Sequence, residues 1–410
     1  MLRRMLDQAR SVRRELQLPA AARRERDTDR QGLLHADPGS ERVVAESLRW
    51  LGCAQDNSRS KDGGVARDYS LIHGWATSYP ETTGYIVPTL IECGQRLGDS
   101  RLLERARRML DWLVGIQLPD GGFQGGRIDS TPIVPVTFNT GQILLGLAAG
   151  AAAFGDYREP MVRAANWLVR TQDPDGCWRQ NASPFARAGD KVYDTHVAWG
   201  LFEAARVEPT LGFDIAALAN VRWALGRQRP NGWFADCCLS NPSRPLTHTL
   251  GYALRGVLEA YRYCDDATLL GAATRTADGL LPALRSDGFL PGQFASDWTP
   301  AASWSCLTGA VQIAHCWLML HRFTGDERYR DAGFKANEFV RRTVRIDGPP
   351  AQRGGVKGSY PVDGAYGRYQ YLNWAAKFLI DSLLLEQDIR SASPAAPIER
   401  PEAVSASSPR

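Results

Sequence analysis

Four ionisable side chains in three short polar motifs are the strongest candidates for proton transfer in this sequence. Glu81 lies in SYPETTGY and His248 in THTLGY, whereas Asp194 and His196 share VYDTHV. Paired carboxylates act as general acid and base at glycosidic bonds, and a neutral imidazole can exchange a proton near pH 7. The same residue types also suit helix caps or buried histidines bonded to backbone carbonyls. All four are therefore catalytic candidates, with a purely structural role as the alternative.

Aromatic and polar side chains are dense around these motifs. Sugar rings stack their apolar faces on aromatic planes, while a few polar groups fix their orientation. Core packing is the alternative explanation for part of this set. Two loops, residues 67–81 and 354–369, are predicted to form the walls of a saccharide site. The predicted substrate-binding residues are Tyr69, His73, Trp75, Tyr79, Tyr85, Asn139, Tyr193, Trp199, Tyr252, Trp304, Tyr360, Asp363, Tyr366 and Arg368.

Basic side chains in or beside the same two loops could neutralise a substrate carboxylate or phosphate. They are Arg67, Arg353, Lys357 and Arg368. Solvated surface is the alternative for each. Together they favour an acidic sugar as substrate.

A sequence repeat indicates how these motifs are brought together. Tryptophan, glutamine, glycine and an aromatic residue recur at fixed spacing (W-x4-Q-x3-G-x-aromatic) from Trp112, Trp167 and Trp223. Degenerate copies begin at positions 50, 279 and 339, which makes six units. In each unit an amphipathic stretch precedes the turn, and a less charged stretch follows it. We predict six outer and six inner helices, the inner ones starting near positions 82, 139, 194, 247, 304 and 370.

The predicted fold is all-α, a closed (α/α)6 toroid over residues 39–388, because a lone hairpin cannot cover its own apolar face. An open solenoid is the alternative, but neither end shows a polar capping repeat. The inner-helix N-termini would then converge on one cavity, with Thr83, Thr140 and their equivalents as N-caps. Residues 1–38 are predicted to be a flexible basic extension with an amphipathic leading helix. Residues 389–410 are predicted to be a disordered tail.

Two resemblances accompany the repeat. The Q-x3-G-x-[WF] turns resemble the repeats of squalene and hopene cyclases and of protein prenyltransferase β subunits. The connectors LGDSRLLERA (97–106), FGDYREPMVRAA (154–165) and TGDERYRDAG (324–333) are similar to those of six-hairpin carbohydrate enzymes. Those enzymes are the N-acylglucosamine 2-epimerases, unsaturated glucuronyl hydrolases and toroid polysaccharide lyases. Both resemblances imply the toroid far more strongly than any reaction, since one fold hosts many chemistries.

The isoprenoid resemblance lacks its chemical motifs. No acidic DxDD sequence is present, and Asp236, Cys238 and His248 imitate the zinc ligands of prenyltransferases only superficially, because the histidine follows too soon in the chain. We therefore expect no metal and no cofactor.

Composition limits the remaining classes of function. The net charge of +4 equals the excess of nine Arg over five Asp or Glu in residues 1–30, so the main body is near neutral and nucleic-acid binding is not expected. The longest apolar stretch, residues 143–154, is too short for a membrane span. Eight dispersed cysteines and the absence of a signal-peptide pattern favour the reducing cytoplasm.

The sequence thus predicts an intracellular enzyme of polysaccharide metabolism acting on an oligo- or polysaccharide by hydrolysis, uronate β-elimination or epimerisation. One alternative is a non-catalytic glycan-binding or assembly protein. A second is a terpene cyclase or prenyltransferase-like enzyme, whose cavity would have to be apolar and deep. The sequence does not define an oligomeric state.

Overall fold

Helices dominate the computed structural model, which describes residues 18–392 except Phe185 and Ala188. The first helix, α1 (Ala20–Gln31), precedes six pairs of outer and inner helices. In chain order these are α2 (Ser40–Asp56), α3 (Pro80–Leu97), α4 (Ser100–Gly115), α5 (Thr137–Phe154), α6 (Arg158–Thr171), α7 (Thr195–Val207), α8 (Phe213–Leu225), α9 (Thr247–Cys264), α10 (Ala267–Leu280), α11 (Leu307–Thr324), α12 (Glu327–Arg341) and α13 (Asn373–Ser391). Short 3₁₀ helices span Val192–Asp194 and Leu281–Ala283.

The six inner helices form a closed ring. Along the chain, α3, α5, α7, α9, α11 and α13 each contact the next, and α13 also contacts α3. Helix α13 packs against α2 as well, so the last inner helix and the first outer helix form the sixth antiparallel pair. The predicted (α/α)6 toroid is confirmed, and the open solenoid is excluded.

The two rings differ in burial as the residue patterns predict. Outer helix α4 buries one stripe that includes Leu102, Met109 and Leu113, whereas Arg101, Arg107 and Arg108 are exposed. Inner helix α5 is buried around most of its circumference. Among the described residues, no helix combines the length and apolar character that crossing a bilayer requires.

Small residues allow the inner helices to approach closely at their N-terminal ends. A Cβ added to Gly84 on α3 would lie 2.4 Å from the Cα of Ile143 on α5, and one on Gly141 would lie 2.6 Å from Val197 Cγ1 on α7. The neighbouring threonine is not the helix cap that the sequence suggested. Thr83 Oγ1 accepts from a loop N–H at 3.0 Å and donates to the i−4 carbonyl at 2.8 Å, so it joins the preceding loop to the helix.

The repeat glutamine ties each turn to the next hairpin. Gln172 Nε2 donates to the carbonyl of Gly176 at 3.0 Å and to that of Ala216, on the next outer helix, at 2.9 Å. Gln117 and Gln228 make the equivalent pairs of bonds. The most regular motif of the sequence is therefore a structural connection between hairpins.

Replacing a repeat glycine should destabilise the ring. Gly232 has φ +83°, and an added Cβ would lie 2.3 Å from the carbonyl oxygen of Arg275, whereas Gly155 (φ +77°) has open space around it. Both alanine variants incur the backbone strain of about 1–3 kcal/mol, but only Gly232→Ala adds an overlap worth about 2 kcal/mol. Urea unfolding of the two variants measures this difference. Equal losses would show that the turn relaxes freely.

The two ends of the ring are built differently. At one end, Gly–Asp connectors are tight: Gly98 adopts the left-handed conformation as the cap of α3, and the Asp99 side chain accepts from the N–H of Arg101. At the other end, long loops lead from outer to inner helices. The catalytic candidates Glu81, Asp194, His196 and His248 lie at the loop end, in or just before the first turns of inner helices.

Short antiparallel strands connect the loops at that end. They are β1 (Asp68–Ser70), β2 (Gly74–Trp75), β3 (Ser305–Cys306), β4 (Ser359–Tyr360) and β5 (Gln370–Leu372). One sheet has the order β2-β1-β5, with Tyr69 opposite both Trp75 and Tyr371, and a second pairs β3 with β4. The sheets therefore join the first long loop to the last and reinforce ring closure.

Part of the N-terminal segment is ordered against the ring, which differs from the predicted flexible extension. Lys357 Nζ donates to Glu25 Oε1 at 3.0 Å and also contacts Asp29, and all three side chains are buried. Composition could not reveal this, because a few specific ion pairs hold an otherwise polar helix. The predicted leading helix within residues 1–17 and the tail from 393 onward lie outside the described residues.

Candidate functional site

Glu81 occupies the first turn of α3, at the loop end of the ring. Tyr79 is extended and Pro80 begins the helix, which places the carboxylate at the second helical position. Glu81 Oε2 accepts from the Tyr79 hydroxyl at 3.1 Å. Burial raises the pKa of Glu81 to about 7, although the Tyr79 hydroxyl and the Arg67 guanidinium act in the opposite direction. Glu81 can therefore exist in either protonation state near neutral pH.

Tyrosines from other hairpins surround Glu81. Burial holds the pKa of Tyr252 well above its usual range, and the nearby Glu81 carboxylate adds to that shift. The Glu81 carboxylate also contributes to the raised pKa of Tyr193 and of Tyr366, for which burial is the main cause. We call Glu81, Tyr79, Tyr193, Tyr252 and Tyr366 the Glu81 cluster.

Arg67 lies beside the cluster. Its guanidinium is 5.1 Å from the ring centroid of Trp374 and 5.9 Å from that of Tyr79, and it binds the Asp68 carboxylate at 2.7 Å. Trp374 donates from Nε1 to the Tyr366 hydroxyl at 2.9 Å. Arg67, Tyr79, Glu81 and Tyr366 are partly exposed. Solvent thus reaches this end of the cluster through a basic, aromatic surface.

Two histidines hold equivalent positions near the cluster. His248 Nδ1 is 2.7 Å from Gln312 Oε1, and His196 Nδ1 is 2.6 Å from Gln142 Oε1. With an amide oxygen as partner, Nδ1 carries the proton and Nε2 is left as the acceptor. Burial lowers the pKa of His248 to about 4, against the Gln312 hydrogen bond, and lowers that of His196 well below its usual range. Both imidazoles are therefore neutral at pH 7.

His248 contacts two tyrosines of the cluster. Its ring centroid is 4.4 Å from that of Tyr252 and 5.4 Å from that of Tyr366. Phe138 packs on Tyr252 at 5.1 Å and on Tyr193 at 5.3 Å. Side chains from four hairpins thus meet at one place.

Asp194 is the second carboxyl at this end of the ring. It ends the 3₁₀ helix Val192–Asp194 directly before α7, and only 4% of the residue is exposed. Burial raises its pKa to about 8, opposed by the Lys191 ammonium. Asp194 is thus largely protonated at neutral pH and is a potential proton donor. Asn139, in the first turn of α5, interacts with the Tyr79 hydroxyl.

A layer of rings closes the barrel beneath the cluster. We call it the aromatic layer, and it consists of Tyr85, His196, Trp199, Tyr252 and Phe378. His196 is 4.5 Å from Tyr252 and 5.0 Å from Trp199, while Tyr85 is 5.3 Å from Phe378. Tyr85 and Trp199 therefore lie deeper than the Glu81 carboxylate, beyond the opening at the loop end.

Three predicted substrate-binding residues pack near the first outer helix. The Tyr69 and Trp75 rings are 5.1 Å apart, and Trp75 is 5.5 Å from Trp50 of α2. His73 is exposed between β1 and β2. Among the described residues, no ring contact or hydrogen bond links these three residues to the Glu81 cluster.

Several predicted residues from the loops that follow α10 and α12 make their contacts outside the Glu81 cluster. The Tyr360 hydroxyl donates to the Asp29 carbonyl at 3.1 Å, and Asp363 accepts from Arg30 of α1 at 3.4 Å. Trp304 packs against glycines of neighbouring loops. Arg368 is exposed above Tyr369. Of the basic candidates, Lys357 and Arg353 are engaged by acidic side chains of α1 and α2.

Sequence reasoning missed several residues that the ring brings to the cluster. They are Phe138, Gln142 and Gln312, which contact Tyr252, His196 and His248 respectively. The two glutamines carried a usable signal, because an amide within an otherwise apolar inner helix requires a partner. Among the described residues, no three His, Cys, Asp or Glu side chains are arranged to hold a metal ion.

Comparison with known proteins relates the chain to others through its fold. No family model matches the sequence, and no curated protein does. The structure is similar to an unsaturated glucuronyl hydrolase specific for heparin, with a TM-score of 0.70 and 15% identity over 87% of this chain and 99% of that one.

Two epimerases are also similar. A sugar epimerase from a ruminal bacterium gives a TM-score of 0.67 and 14% identity over 86% of this chain and 98% of its own. Cellobiose 2-epimerase from Bacillus thermoamylovorans gives a TM-score of 0.66 and 12% identity over 84% of this chain and 97% of its own. Identities this low establish the fold and leave the reaction open. The chain is a six-hairpin (α/α)6 toroid, the fold that it shares with these solved hydrolase and epimerase structures.

Proposed function

We propose that the protein is an enzyme that acts on an acidic oligo- or polysaccharide by acid–base catalysis at the Glu81 cluster. The observation that carries the proposal is the Glu81 carboxyl, whose pKa of about 7 lets it both give and take a proton, set among tyrosines from several hairpins. Perturbed carboxyls in partly open aromatic clusters are typical of active sites. Sugar enzymes of the same fold support the substrate class.

The residues of the site suit hydrolysis. Protonated Glu81 would donate to the departing glycosidic oxygen as the carbon–oxygen bond breaks, and its carboxylate would then accept a proton from the attacking water. Asp194, protonated at neutral pH, would supply a second hydrogen bond or proton. Tyr79, Tyr366 and Trp374 offer ring faces for the sugar.

Arg67 would select the acidic sugar. Its guanidinium is fixed by Asp68 and by two ring faces, yet remains partly exposed beside Glu81. A bidentate bond to a uronate carboxylate is the interaction for which such a fork is suited.

Epimerisation is the second candidate, and it rests on His248. The Gln312 hydrogen bond fixes one nitrogen of the neutral ring, which leaves Nε2 as a base close to Tyr252 and Tyr366. Removing a proton from carbon beside a sugar carbonyl requires such a base. Nuclear magnetic resonance in D₂O separates the two reactions, since epimerisation can place deuterium on carbon and hydrolysis releases a new reducing end.

The test uses the full chain with matched acidic and neutral oligosaccharides. Turnover of the acidic set is expected, and Arg67→Gln should raise KM for it about 10- to 100-fold while leaving neutral substrates unchanged. Arg101→Gln, on an exposed outer helix, is the control. Glycan binding without turnover would contradict the proposal and favour the non-catalytic alternative. Turnover of isoprenoid diphosphates would favour the isoprenoid alternative.

A further inference from the structure

A cavity opens at the opposite end of the ring from the Glu81 cluster. It has a volume of about 690 Å³ and lies between the C-terminal halves of the inner helices. Trp199 and Lys377 form part of its floor, so the aromatic layer separates it from Glu81. Its size is within the range of small-molecule sites. The proposed function does not use it.

One wall of this cavity is apolar. Helix α5 contributes Leu145, Ala148, Ala149 and Ala152, and neither a charge nor a hydrogen-bonding side chain comes from this helix. The other inner helices supply ionisable side chains. The cavity is therefore two-sided, and a ligand complementary to it has an apolar face and a charged face.

Arg255, Lys377 and His315 meet at the floor, and the two cations have N–H groups without a protein acceptor among the described residues. Arg255 binds Glu259 through Nε at 2.7 Å and stacks on Trp199 at 4.3 Å, and no terminal nitrogen of Arg255 has a protein acceptor among residues 18–392. Within residues 18–392, Lys377 Nζ makes one hydrogen bond, 2.5 Å to Asp381 Oδ2. Nδ1 of His315 is buried without a partner in the described part of the chain.

Burial and the neighbouring positive charges both disfavour the protonated forms of these groups. Burial lowers the pKa of His315 well below its usual range, and the charges of Arg255 and Lys377 lower it further. Burial also lowers the pKa of Lys377, against the attraction of Asp381. Cations held together out of water are stabilised by an anion.

The carboxylates of the protein do not neutralise all the cations that line the cavity. Six lysine or arginine side chains and four aspartate or glutamate side chains line the cavity. Glu259, which is buried and pairs with Arg255, brings the number of carboxylates to five. Arg96, Arg206, Arg262 and Arg322 at the mouth are each ion-paired. The unused donors therefore belong to the floor.

The negative ends of the inner-helix dipoles explain cations at the mouth but not those at the floor. The dipole acts over the last turn of a helix. Arg255 lies nine residues before the end of α9, and Lys377 lies near the start of α13. Some other requirement keeps these two charges in the barrel.

We propose that this cavity binds an organic anion of saccharide size. Its carboxylate, sulfate or phosphate contacts Arg255, Lys377 and His315, and its apolar face lies on the α5 wall. The site is separate from the Glu81 cluster, so occupancy does not require turnover.

Isothermal titration calorimetry tests this on the full-length Arg67→Gln variant, which lacks the guanidinium proposed to hold acidic sugars at the Glu81 cluster. The probes are glucuronate, glucose 1-phosphate, glucose 6-sulfate, inorganic phosphate and neutral glucose. Saturable binding of the sugar anions, tighter than that of inorganic phosphate and absent for glucose, is expected. The relative affinities of the three sugar anions identify which oxyanion the floor prefers. No binding of any sugar anion at millimolar concentration would overturn the proposal.

Two kinds of variant locate the site. Arg255→Gln combined with Glu259→Gln removes the charge without leaving a buried carboxylate, and Ala149→Phe fills the apolar wall without touching any charge. Each is expected to weaken sugar-anion binding about 10- to 100-fold. Glu104→Gln, on the exposed face of α4, should leave it unchanged. Binding that survives both the floor and the wall variants would refute this location. Circular dichroism and thermal melting verify that each variant is folded.

Discussion

Replacing Glu81 by glutamine is expected to reduce kcat on the acidic substrate by about 10³-fold with little change in KM. Removing a general acid–base group generally decreases rates by about 10²- to 10⁴-fold. Glutamine keeps the shape of the side chain and can still accept from the Tyr79 hydroxyl, 3.1 Å away in the native site. Steady-state kinetics of the purified variant measures the effect, with Glu104→Gln on the exposed face of α4 as control.

The pH profile adds a second measurement for the same residue. The pKa of Glu81 is about 7, so the protonated form dominates below that pH and is lost above it. If protonation of the leaving group limits the rate, kcat of the native enzyme falls as pH rises through 7, and the glutamine variant loses this inflection. A native rate that falls as pH decreases through 7 would instead assign Glu81 as a base. A profile unchanged in Glu81→Gln contradicts both roles.

The hairpins were accessible to sequence reasoning because their signals are local. The repeat glutamine and the Gly–Asp connectors recur at fixed spacing, and each acts on residues nearby or one hairpin away. The apolar character of α5 and the charged outer face of α4 likewise depend on composition within one helix. Ring closure followed from the number of units and from the absence of capping repeats.

The arrangement of the site was harder to predict, since it depends on loops. Spacing on the inner helices was enough to bring Glu81, Tyr252 and His248 toward one place. Helix spacing could not predict the positions of the loop residues, because the partners of Tyr360 and Asp363 lie more than 300 positions away on α1. The cavity at the connector end was missed for a different reason. Its charged residues are few on each helix and converge only when the ring closes.

Replacing Asp194 by asparagine is expected to stabilise the fold near pH 8 while lowering activity. The carboxyl has a pKa of about 8 in the folded chain, against a usual value of 3.8. Folding therefore favours the protonated form, so this contribution to stability is fully present below pH 4 and is lost as pH rises to 8. The shift corresponds to a change on the order of 5 kcal/mol between those limits. Asparagine does not ionise, so the variant should not undergo this loss.

Denaturant unfolding of the native chain and of Asp194→Asn at pH 4, 6 and 8 measures the effect. The free-energy difference between the two proteins should move in favour of asparagine as pH rises, while Asp156→Asn, at an exposed position, follows the native chain at every pH. Glu81 retains its own smaller slope in both proteins, because its raised pKa has the same sign. A parallel pH dependence in native and Asp194→Asn chains would mean that Asp194 is ionised in the fold, and it would then be a poor proton donor at neutral pH.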